Sequence, residues 1–434
     1  MRLSIIGSGY VGTTVAACFA DLGHEVVNVD VDEDVVEIIN DGNAPIHEEG
    51  LPELVTRHAG PEGTGRLRAT TDYDAVLDTD VTFLCLPTPQ NDDGSIDLSI
   101  MEAGASQLGS TLGRKPDWHT VVVKSTVVPG STEDTITPIL EAESGKTAGE
   151  EFGVGMNPEF LREGTAVHDF SNPDKVVLGA DDERALAEVR DVFDPLVLKS
   201  DAPLVETDTR TAEMIKYANN SFLAAKVSLI NDLGNVCKEM GVDAYEVADA
   251  VGLDDRISDR FLRSGVGWGG SCFPKDVAAI IAAATEAGYE PPVLNAAVEV
   301  NDRQPERLVD LLTAHCTLDG ARVAVLGLAF KPGTDDMRNS RAIPVVNSLQ
   351  ERGATVTAYD PVAIENAKGY LDGVDYADSA AAALTDADAA VIVTDWDEFK
   401  TLDEAFDRMA DRVVVDGRRV IERRDGITYE GLTW

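Results

Sequence analysis

The sequence predicts an α/β protein with two Rossmann-like, doubly wound domains joined by a long central helical region. Short apolar runs such as residues 3–6 and 26–30 end at Gly or Asp and alternate with helical patterns, which is typical of buried parallel strands in βαβ units. The same alternation returns from residue 322 onwards. Between the two regions, residues 208–250 carry apolar side chains every three or four positions and predict a continuous helix.

Each predicted element has its own signal in the chain. In the first region the apolar runs predict strands over residues 3–6, 26–30, 81–86, 121–124, 153–156 and 175–179. In the second region they predict strands over residues 322–330, 354–361, 389–395 and 412–419. A helix closed by Gly23 follows the first strand, because glycine commonly ends helices. We therefore expect an α/β domain over residues 1–200, a central helical domain over 201–305 and a second α/β domain over 306–434.

The chain is strongly acidic. Its 78 Asp and Glu residues against 36 Lys and Arg residues give a formal net charge of −42, spread along the sequence. That charge argues against nucleic acid and anionic membranes as partners. It favours a salt-rich environment, because the Debye length falls to roughly 3 Å at ~1 M salt and self-repulsion is then screened.

The cysteines and histidines argue against other classes of site. The 5 cysteines show neither disulfide-framework nor CxxC spacing, which indicates a reducing compartment. A glycine motif begins at residue 7, too early for a signal peptide, and the longest apolar run is too short to cross a bilayer. The 6 histidines lack metal-ligand spacing. We expect a cytoplasmic protein without a catalytic metal.

A glycine fingerprint follows the first strand. In GSGYVG, the residues Gly7, Gly9 and Gly12 permit a tight turn, close approach of a pyrophosphate to backbone N–H groups and tight helix packing. Asp30 ends the second strand, where a carboxylate binds the ribose hydroxyls of NAD. Because no Arg takes that place, the sequence favours NAD over NADP. FAD uses the same fingerprint, but nothing else in the chain indicates a flavin.

The stretch GVGWGGSCFPKD places Cys272 in a glycine-rich segment instead of an apolar helix or strand. Glycines let the backbone approach a ligand closely, and the nearby Lys275 favours the thiolate form of the cysteine. These features predict an exposed nucleophile. A glycine-rich turn with an incidental cysteine is the alternative that this stretch alone leaves open.

Two further motifs follow predicted strands in the first region. KSTVVPG and NPEFLREG lie where ligands of open α/β sheets bind. Glu159 and Glu163 share one face only if their segment is helical, and spacing alone does not decide this. On the long helix, Lys216 and Asn220 are four residues apart and therefore point the same way.

The second α/β region lacks the glycine fingerprint and has GLAFKPGTDDMRNSRA after its first strand. Three bases gather in this stretch of a base-poor chain: Lys331, Arg338 and Arg341. Such a cluster is typical of a loop that holds an anion such as a phosphate. Asp360 ends the next strand, either as a ribose contact or as a turn former.

Five motifs occur in the order found in one known family. GSGYVG, KSTVVPG, NPEFLREG, GVGWGGSCFPKD and FKPGTDDMRNS together resemble the UDP-glucose/GDP-mannose dehydrogenase family, through nearly the whole chain. NPEFLREG and CFPKD are most similar to its UDP-glucose branch. Trp268 and Ser258 depart from the frequent Phe and Gly, so the sugar pocket and the dimer-crossing loop are expected to differ slightly.

The resemblance implies an NAD-dependent, two-step oxidation of the C6 alcohol of a nucleotide sugar, with UDP-glucose as the expected substrate. Cys272 would form a thiohemiacetal with the intermediate aldehyde and then a thioester. The residues implied in catalysis are Cys272, Lys216, Asn220, Asp276, Glu159 and Thr126. Those implied in NAD binding are Gly7, Gly9, Tyr10, Val11, Gly12, Asp30, Thr88, Ser125, Glu163, Lys275 and Arg338. Those implied in nucleotide-sugar binding are Phe160, Leu161, Arg256, Gly269, Phe330, Lys331 and Arg418.

The resemblance also assigns tasks to the three domains. It implies NAD binding for the first, dimerisation for the central helical domain and UDP binding for the last. Lys216 and Asn220 would stabilise an oxyanion, and Arg256 would reach the neighbouring subunit's site in a homodimer. Glu159 and Asp276 would move protons.

Three other functions remain open from the sequence. The first is the same chemistry on GDP-mannose or a UDP-N-acetylhexosamine, although a GDP-mannose enzyme more often has Leu where Phe273 stands. The second is a single-step β-hydroxyacid dehydrogenase, which would need no thiol at Cys272. The third is a nucleotide-binding protein that has lost catalysis.

Overall fold

A computed structural model describes all residues from 1 to 434, which form two compact units, Met1–Asn219 and Asn220–Trp434. Each unit contains one predominantly parallel sheet with helices on both faces, as the sequence predicts. The division into domains at residues 200 and 305 stays a prediction. No helix of the protein combines the length and the apolar character needed to cross a bilayer.

The first unit is built on an eight-stranded sheet of order β3-β2-β1-β4-β5-β6-β7-β8. Its strands are β1 Arg2–Ile6, β2 Glu25–Val29, β3 Leu67–Thr70, β4 Val81–Leu84, β5 Thr120–Val123, β6 Gly153–Met156, β7 Val176–Ala180 and β8 Leu204–Thr207. All neighbours run parallel except β6 and β7, which are antiparallel. Leu3 in β1 pairs with Val26 in β2 and Val81 in β4, which places β1 in the centre.

Helices cover both faces of this sheet, and two apolar cores result. Leu3 and Phe83 belong to one core, and Ile6 and Leu84 belong to the other. Because both faces are covered, the central strands are apolar at successive positions instead of alternating. The helices are α1 Tyr10–Asp21, α2 Glu33–Asn40, α3 Leu51–His58, α4 Ser99–Leu112, α5 Thr137–Ser144, α6 Ala166–Ser171 and α7 Glu183–Ser200. A 3-10 helix at Tyr73–Asp78 and a π-helical turn at Thr132–Ile136 complete the unit.

The long helix of the sequence prediction is present but ends earlier than expected. Helix α8 spans Thr209–Glu239, and a separate helix, α9, spans Ala244–Val251. The prediction of one continuous helix to residue 250 is therefore wrong, because the chain is not helical between α8 and α9. Gly241 has a φ of 69°, and Asp243 caps α9 by accepting a hydrogen bond from Tyr245 N, so the chain turns here.

The second unit contains a parallel sheet of order β11-β10-β9-β12-β13-β14. Its strands are β9 Arg322–Leu326, β10 Thr355–Tyr359, β11 Asp375–Tyr376, β12 Ala389–Ile392, β13 Val413–Asp416 and β14 Thr428–Gly431. Its helices after α9 are α10 Phe273–Glu286, α11 Pro292–Thr313, α12 Ala342–Glu351, α13 Ile364–Ala367, α14 Ala380–Leu384 and α15 Asp403–Phe406, with a 3-10 helix at Asp397–Thr401. The predicted strands are thus present, although the runs 322–330 and 412–419 extend past the strands into the loops that follow them.

Candidate active site

The glycine fingerprint forms an open cradle at the start of α1. Gly7 has a φ of 99°, and a Cβ on Gly12 would lie 1.9 Å from the Gly7 carbonyl oxygen, so both positions require glycine. A Cβ on Gly9 would meet no protein atom within 4 Å. The first N–H groups of α1 have no side-chain cap. Open space beside uncapped helix N–H groups suits the diphosphate of a dinucleotide.

Asp30 follows β2 and holds the glycine turn. One carboxylate oxygen accepts a hydrogen bond from Ser8 N at 2.5 Å, and the other accepts one from Asp32 N at 3.0 Å. The side chain is only partly buried. A carboxylate has about four acceptor positions, so this one retains capacity for the two hydroxyls of a ribose.

Glu48 is a residue that sequence analysis missed. It is 1 % exposed and accepts hydrogen bonds from Gly164 N at 2.9 Å and Ala166 N at 2.6 Å. The Tyr10 hydroxyl donates to Glu48 at 2.6 Å. Burial and the Glu48 carboxylate raise the pKa of Tyr10 far above its ordinary value, so it stays a donor. Glu48 therefore ties the turn around Glu163 to the glycine fingerprint.

Two hydroxyl side chains connect the segments that follow β4 and β5. Thr88 donates to the Thr126 carbonyl oxygen at 2.9 Å, and Ser125 donates to the Leu86 carbonyl oxygen at 2.6 Å. Both segments leave the sheet at the carboxyl ends of adjacent strands. The predicted residues 88, 125 and 126 therefore lie together.

A buried ion pair joins Glu159 to Lys216. Their side chains are 9 % and 5 % exposed, and Lys216 Nζ lies 2.8 Å from Glu159 Oε1. Burial alone would raise the pKa of Glu159, but Lys216 and the N–H of Leu161 outweigh it and lower that pKa. The Phe160 ring faces the Lys216 ammonium, with 5.5 Å from Nζ to the ring centroid. Residues 157–164 are not helical, so Glu159 and Glu163 do not share a helix face.

Cys272 is exposed and immediately precedes α10. A thiol at a helix N-terminus has its thiolate form stabilised by the helix dipole. Asp276, one turn later, is 2 % exposed, and its carboxylate accepts hydrogen bonds from Asn220 Nδ2 at 2.6 Å and Lys275 Nζ at 2.8 Å. Lys275, which the sequence placed beside the thiol, thus pairs with Asp276. The structure confirms that Cys272 is exposed, and its role as a nucleophile stays a prediction.

The glycines before Cys272 allow close packing within the second unit. A Cβ on Gly269 would lie 2.2 Å from the Asn339 carbonyl oxygen, and one on Gly270 would lie 2.7 Å from the Phe330 ring. Arg418 donates to the Gly267 carbonyl oxygen at 3.1 Å. The motifs around 269, 330 and 418 therefore meet in space, although 149 residues separate the first from the last.

Two bases after β9 are oriented by neighbouring groups. Arg338 pairs with Asp336, with 2.7 Å between Nη2 and Oδ2, and the Arg338 carbonyl oxygen accepts a hydrogen bond from Gly270 N at 3.0 Å. Lys331 Nζ lies 5.4 Å from the centroid of the Phe330 ring. The predicted anion-binding loop is thus adjacent to the glycine segment of Cys272.

Arg256 lies in an exposed loop of the second unit. Its side chain is 89 % exposed and pairs with Asp254, two residues away. The loop that carries it has positive φ angles at Ser258 and Phe261, of 64° and 62°. Ser258 stands where the resemblance leads us to expect glycine, the residue that adopts this conformation at least cost.

Asp360 is a turn former and not a ribose contact. It is 1 % exposed, and its carboxylate accepts hydrogen bonds from five donors. The donors are the backbone N–H groups of Leu328, Ala329, Val362 and Ala363 and the indole N–H of Trp396. No acceptor capacity remains for a ligand, and this settles the alternative that the sequence left open.

The second unit also contains a cavity of about 1160 Å³ that no predicted site residue lines. Its walls include Arg263 and Arg419, which pair with Asp249 and Asp243, each at 2.7 Å. Arg419 also lies over the Tyr245 ring, 4.6 Å from the centroid. The walls contain five acids and five bases in all, so the net charge of the cavity does not indicate an anion site.

Comparison with known proteins agrees with this geometry. Three domain models of the UDP-glucose/GDP-mannose dehydrogenase family match: the NAD binding domain at residues 1–197, the central domain at 210–303 and the UDP binding domain at 324–423. The first of these matches indicates NAD as the cofactor, and the cradle at Gly9 fits it. The third indicates a nucleotide-sugar ligand.

Similar proteins span the full length. UDP-glucose 6-dehydrogenase AglM of Haloferax volcanii is 62% identical over 433 residues and covers 100% of both chains. UDP-glucose 6-dehydrogenase of Rhizobium meliloti is 42% identical, covering 100% of this chain and 98% of the other. The structure of a UDP-glucose dehydrogenase from Pyrobaculum islandicum has a TM-score of 0.91 at 43% identity, covering 100% and 98%. The chain belongs to the UDP-glucose/GDP-mannose dehydrogenase family.

Proposed function

We propose that this chain is a cytoplasmic, NAD-dependent UDP-glucose 6-dehydrogenase that converts UDP-glucose to UDP-glucuronate. The observation that carries the proposal is the exposed Cys272 at the start of α10, in a chain 62% identical over its full length to a UDP-glucose 6-dehydrogenase. A single alcohol oxidation needs no thiol. An oxidation that continues from aldehyde to acid needs a nucleophile that converts the aldehyde into a hydride donor.

The first step oxidises the C6 alcohol to an aldehyde, with loss of the hydroxyl proton and of one hydride from C6. NAD, when bound, accepts one hydride in each of the two oxidations and is released as NADH. Within the first unit, the glycine turn at Gly9 and the carboxylate of Asp30 would hold the diphosphate and ribose of this cofactor. These contacts would fix the orientation of the cofactor, on which hydride transfer depends.

In the second oxidation, the Cys272 thiolate attacks the aldehyde carbon and a C–S bond forms. The resulting oxyanion would be stabilised by the Lys216 ammonium and the Asn220 amide, which carry the donors this charge needs. Loss of the second hydride from the same carbon gives a thioester. Lys216 and Asn220 lie one turn apart on α8, which supports a joint role.

Hydrolysis of the thioester completes the reaction. A water oxygen attacks the thioester carbon while Glu159 takes a proton from the water; the C–S bond breaks, and Cys272 leaves as thiolate. The lowered pKa of Glu159 means that its carboxylate is ionised and can accept this proton, although it also makes Glu159 a weaker base than a glutamate with a raised pKa. Thr126 and Asp276 are proposed to hold this water.

The stoichiometry of NADH tests the proposal. We expect two NADH per UDP-glucose consumed, with excess NAD and ~2 M KCl to screen the charge of −42. GDP-mannose and UDP-N-acetylmannosamine, run in parallel, are expected to give no NADH. Two NADH from another sugar would support the mechanism but identify a different substrate. One NADH would contradict the thioester mechanism.

We further propose a homodimer built on α8. Five large apolar side chains on the helix and its end lie exposed at spacings of seven, four, three and four residues, which places them on one stripe: Phe222, Leu229, Leu233, Val236 and Met240. Such a stripe is costly in water and is typical of a subunit interface. The exposed Arg256 supports the expectation that it acts in the partner's site.

Co-expression of two inactive variants tests the role of Arg256. Arg256→Ala and Cys272→Ser chains are each expected to be inactive alone. In a mixed dimer, the Arg256→Ala chain keeps its own Cys272 and receives Arg256 from its partner, so activity returns. Mixed dimers that stay inactive would show that Arg256 acts within its own chain.

A further inference from the structure

Lys124 is buried at the carboxyl end of β5, an unusual place for an ammonium group. The residue is 4 % exposed and makes no salt bridge. Its Nζ donates one hydrogen bond, to Asn157 Oδ1 at 2.7 Å, and Asn157 Nδ2 donates to the Val177 carbonyl oxygen at 2.8 Å. A buried charge without an ion-pair partner costs free energy. We therefore expect Lys124 to have a role that a neutral side chain could not fill.

A second buried lysine in the same unit shows what a purely structural role looks like. Lys115 is 5 % exposed, and its ammonium donates to the carbonyl oxygens of Leu77 and Thr79, each at 2.6 Å. These bonds close the end of a 3-10 helix, where carbonyl groups lack partners. Lys124 closes no helix end, so this explanation does not extend to it.

The hydrogen bond of Lys124 connects two segments of the proposed hydrolytic machinery. Lys124 lies two residues before Thr126, and Asn157 lies two residues before Glu159. Because β5 and β6 are adjacent parallel strands, both segments leave the sheet at the same edge. The Lys124 to Asn157 bond thus fixes the start of one segment relative to the start of the other.

The charge of Lys124 acts on the same neighbourhood. Three other ionisable groups face it: the Cys85 thiol after β4, the Glu159 carboxylate after β6 and the Lys216 ammonium of α8. Burial lowers the pKa of Lys124 to about 8, so the group is mostly charged at neutral pH. Its positive charge is one of the causes that lower the pKa of Glu159. Glu159 therefore lies in the field of two cations.

We propose that Lys124 is a positioning residue for thioester hydrolysis, which aligns the Thr126 and Glu159 segments through Asn157. This inference rests on the proposed function, in which Glu159 takes the proton of the attacking water. Lys124 itself touches no reacting atom. Its loss should slow the step in which water cleaves the C–S bond, and leave the two hydride transfers largely intact.

The test compares Lys124→Met and Lys124→Arg with Lys115→Met as a matched control. Each enzyme is mixed with UDP-glucose and NAD, quenched with acid during turnover, and analysed by intact-protein mass spectrometry for the uronyl adduct on Cys272. For Lys124→Met we expect kcat to fall about tenfold or more, a burst of two NADH per subunit, and a larger adduct fraction than in the unmodified enzyme. Lys115→Met should lose thermal stability without gaining adduct.

The pH profile separates the charge from the hydrogen bond. In Lys124→Met the acid limb of kcat should move to higher pH by about one unit, because Glu159 has lost a nearby cation. Lys124→Arg should keep the acid limb in place. If Lys124→Met fails to fold, Asn157→Ala replaces it: this variant keeps the ammonium, so it should raise the adduct fraction without moving the acid limb.

The outcomes distinguish this inference from the proposed function. One NADH per UDP-glucose from the unmodified enzyme would contradict the proposed function, and this inference with it. Two NADH, together with Lys124 variants whose adduct fraction and acid limb match those of Lys115→Met, would contradict the role of Lys124 alone.

Discussion

The two sheets carry an aspartate at the same place, directly after the second strand of a βαβ unit, and use it differently. Asp30 follows β2 and accepts two backbone hydrogen bonds, from Ser8 and Asp32. Asp360 follows β10, is 1 % exposed and accepts from five donors, including the indole of Trp396. The position in the fold is therefore not what makes a ligand site. The two carboxylates differ in the number of protein donors that they already bind, and only Asp30 keeps acceptor capacity for a ligand.

The turns that follow the first strand of each unit also differ in the space that they leave for a ligand. A Cβ on Gly9, three residues after β1, would meet no protein atom within 4 Å. Ala329, the residue at the same place after β9, has a side chain and is 1 % exposed. Open space remains where the first unit is expected to bind a dinucleotide. The second unit fills its corresponding turn with protein. We therefore expect a dinucleotide to bind at the turn of the first unit and not at the corresponding turn of the second.

The largest expected effect is a loss of catalysis without a loss of cofactor binding. Cys272→Ala should reduce formation of UDP-glucuronate by more than about 1,000-fold, since no nucleophile remains for the second oxidation. NAD affinity, measured by isothermal titration calorimetry, should stay unchanged because the fingerprint lies in the first unit. Cys316→Ala, a half-buried thiol outside the predicted site, is the control and should keep full activity. Full turnover by Cys272→Ala would contradict the covalent mechanism.

A methyl group in the open turn should weaken NAD binding without unfolding the protein. Gly9 has a φ of −70°, which alanine tolerates, so Gly9→Ala should keep the melting temperature. Its Cβ would occupy the space expected for the diphosphate, and NAD affinity should fall roughly 100-fold. Gly12→Ala, whose Cβ would lie 1.9 Å from the Gly7 carbonyl oxygen, should lower both quantities. Unchanged NAD affinity in Gly9→Ala would show that the diphosphate binds elsewhere.

Exchanging the two aspartates for alanine should give opposite results. Asp30→Ala should weaken NAD binding about tenfold with a small change in melting temperature, because only two backbone bonds are lost. Asp360→Ala leaves buried N–H groups without an acceptor and should cost about 3 kcal/mol of stability. Calorimetric NAD titration and chemical denaturation of both variants measure the two effects. Asp360 lies in the unit matched by the UDP binding domain, so a ligand role would appear as a loss of affinity for UDP-glucose, in kcal/mol, larger than the loss of unfolding free energy.

The fold follows from short-range patterns that the sequence displays directly. Continuous apolar runs such as residues 3–6 predict strands covered on both faces, and glycines at 7, 9 and 12 predict the turn that follows. The exposure of Cys272 can also be predicted from the sequence, since its neighbours include Gly, Ser and Pro instead of a run of apolar residues. These predictions depend on a few adjacent positions and are confirmed in the structure.

What the sequence did not reveal depends on partners distant in the chain. Glu48 bonds to Gly164, which lies 116 residues away, and no local pattern distinguishes it from other acids of an acidic chain. Asp360 looked like Asp30 because its competing donors, among them Trp396, come from separate loops. The early end of α8 was missed because Gly241 interrupts an otherwise periodic stretch. Long-range hydrogen bonds and single backbone conformations thus escape periodicity analysis.

Falling pH should weaken the first unit before the second. His119 is 1 % exposed, and burial lowers its pKa to about 3, whereas an unfolded histidine titrates near 6.5. Between these two pH values the imidazole of His119 is protonated in the unfolded state but neutral in the folded state. The free energy of unfolding therefore falls as pH drops, by at most about 1.4 kcal/mol per pH unit. Each unit also contains a buried carboxyl whose pKa is raised by burial, Glu213 in the first and Asp416 in the second, and for both of these acid has the opposite effect. The expected difference between the units therefore rests on His119.

Hydrogen exchange can measure the two units in one sample. At pH 5 compared with pH 7, after correction for intrinsic exchange, amides of β1 to β6 should lose protection by about 2 kcal/mol, and those of β9 to β13 should lose less. His119→Gln should reduce the loss, because an amide side chain does not titrate. Equal loss in both sheets would assign the acid sensitivity to the acidic surface that both units share. A loss confined to the first sheet and reduced in His119→Gln would instead assign the acid sensitivity to one buried imidazole. The two units would then differ in acid stability because of a polar group that the protein has buried, just as Asp30 and Asp360 differ in how many donors the protein has placed around them.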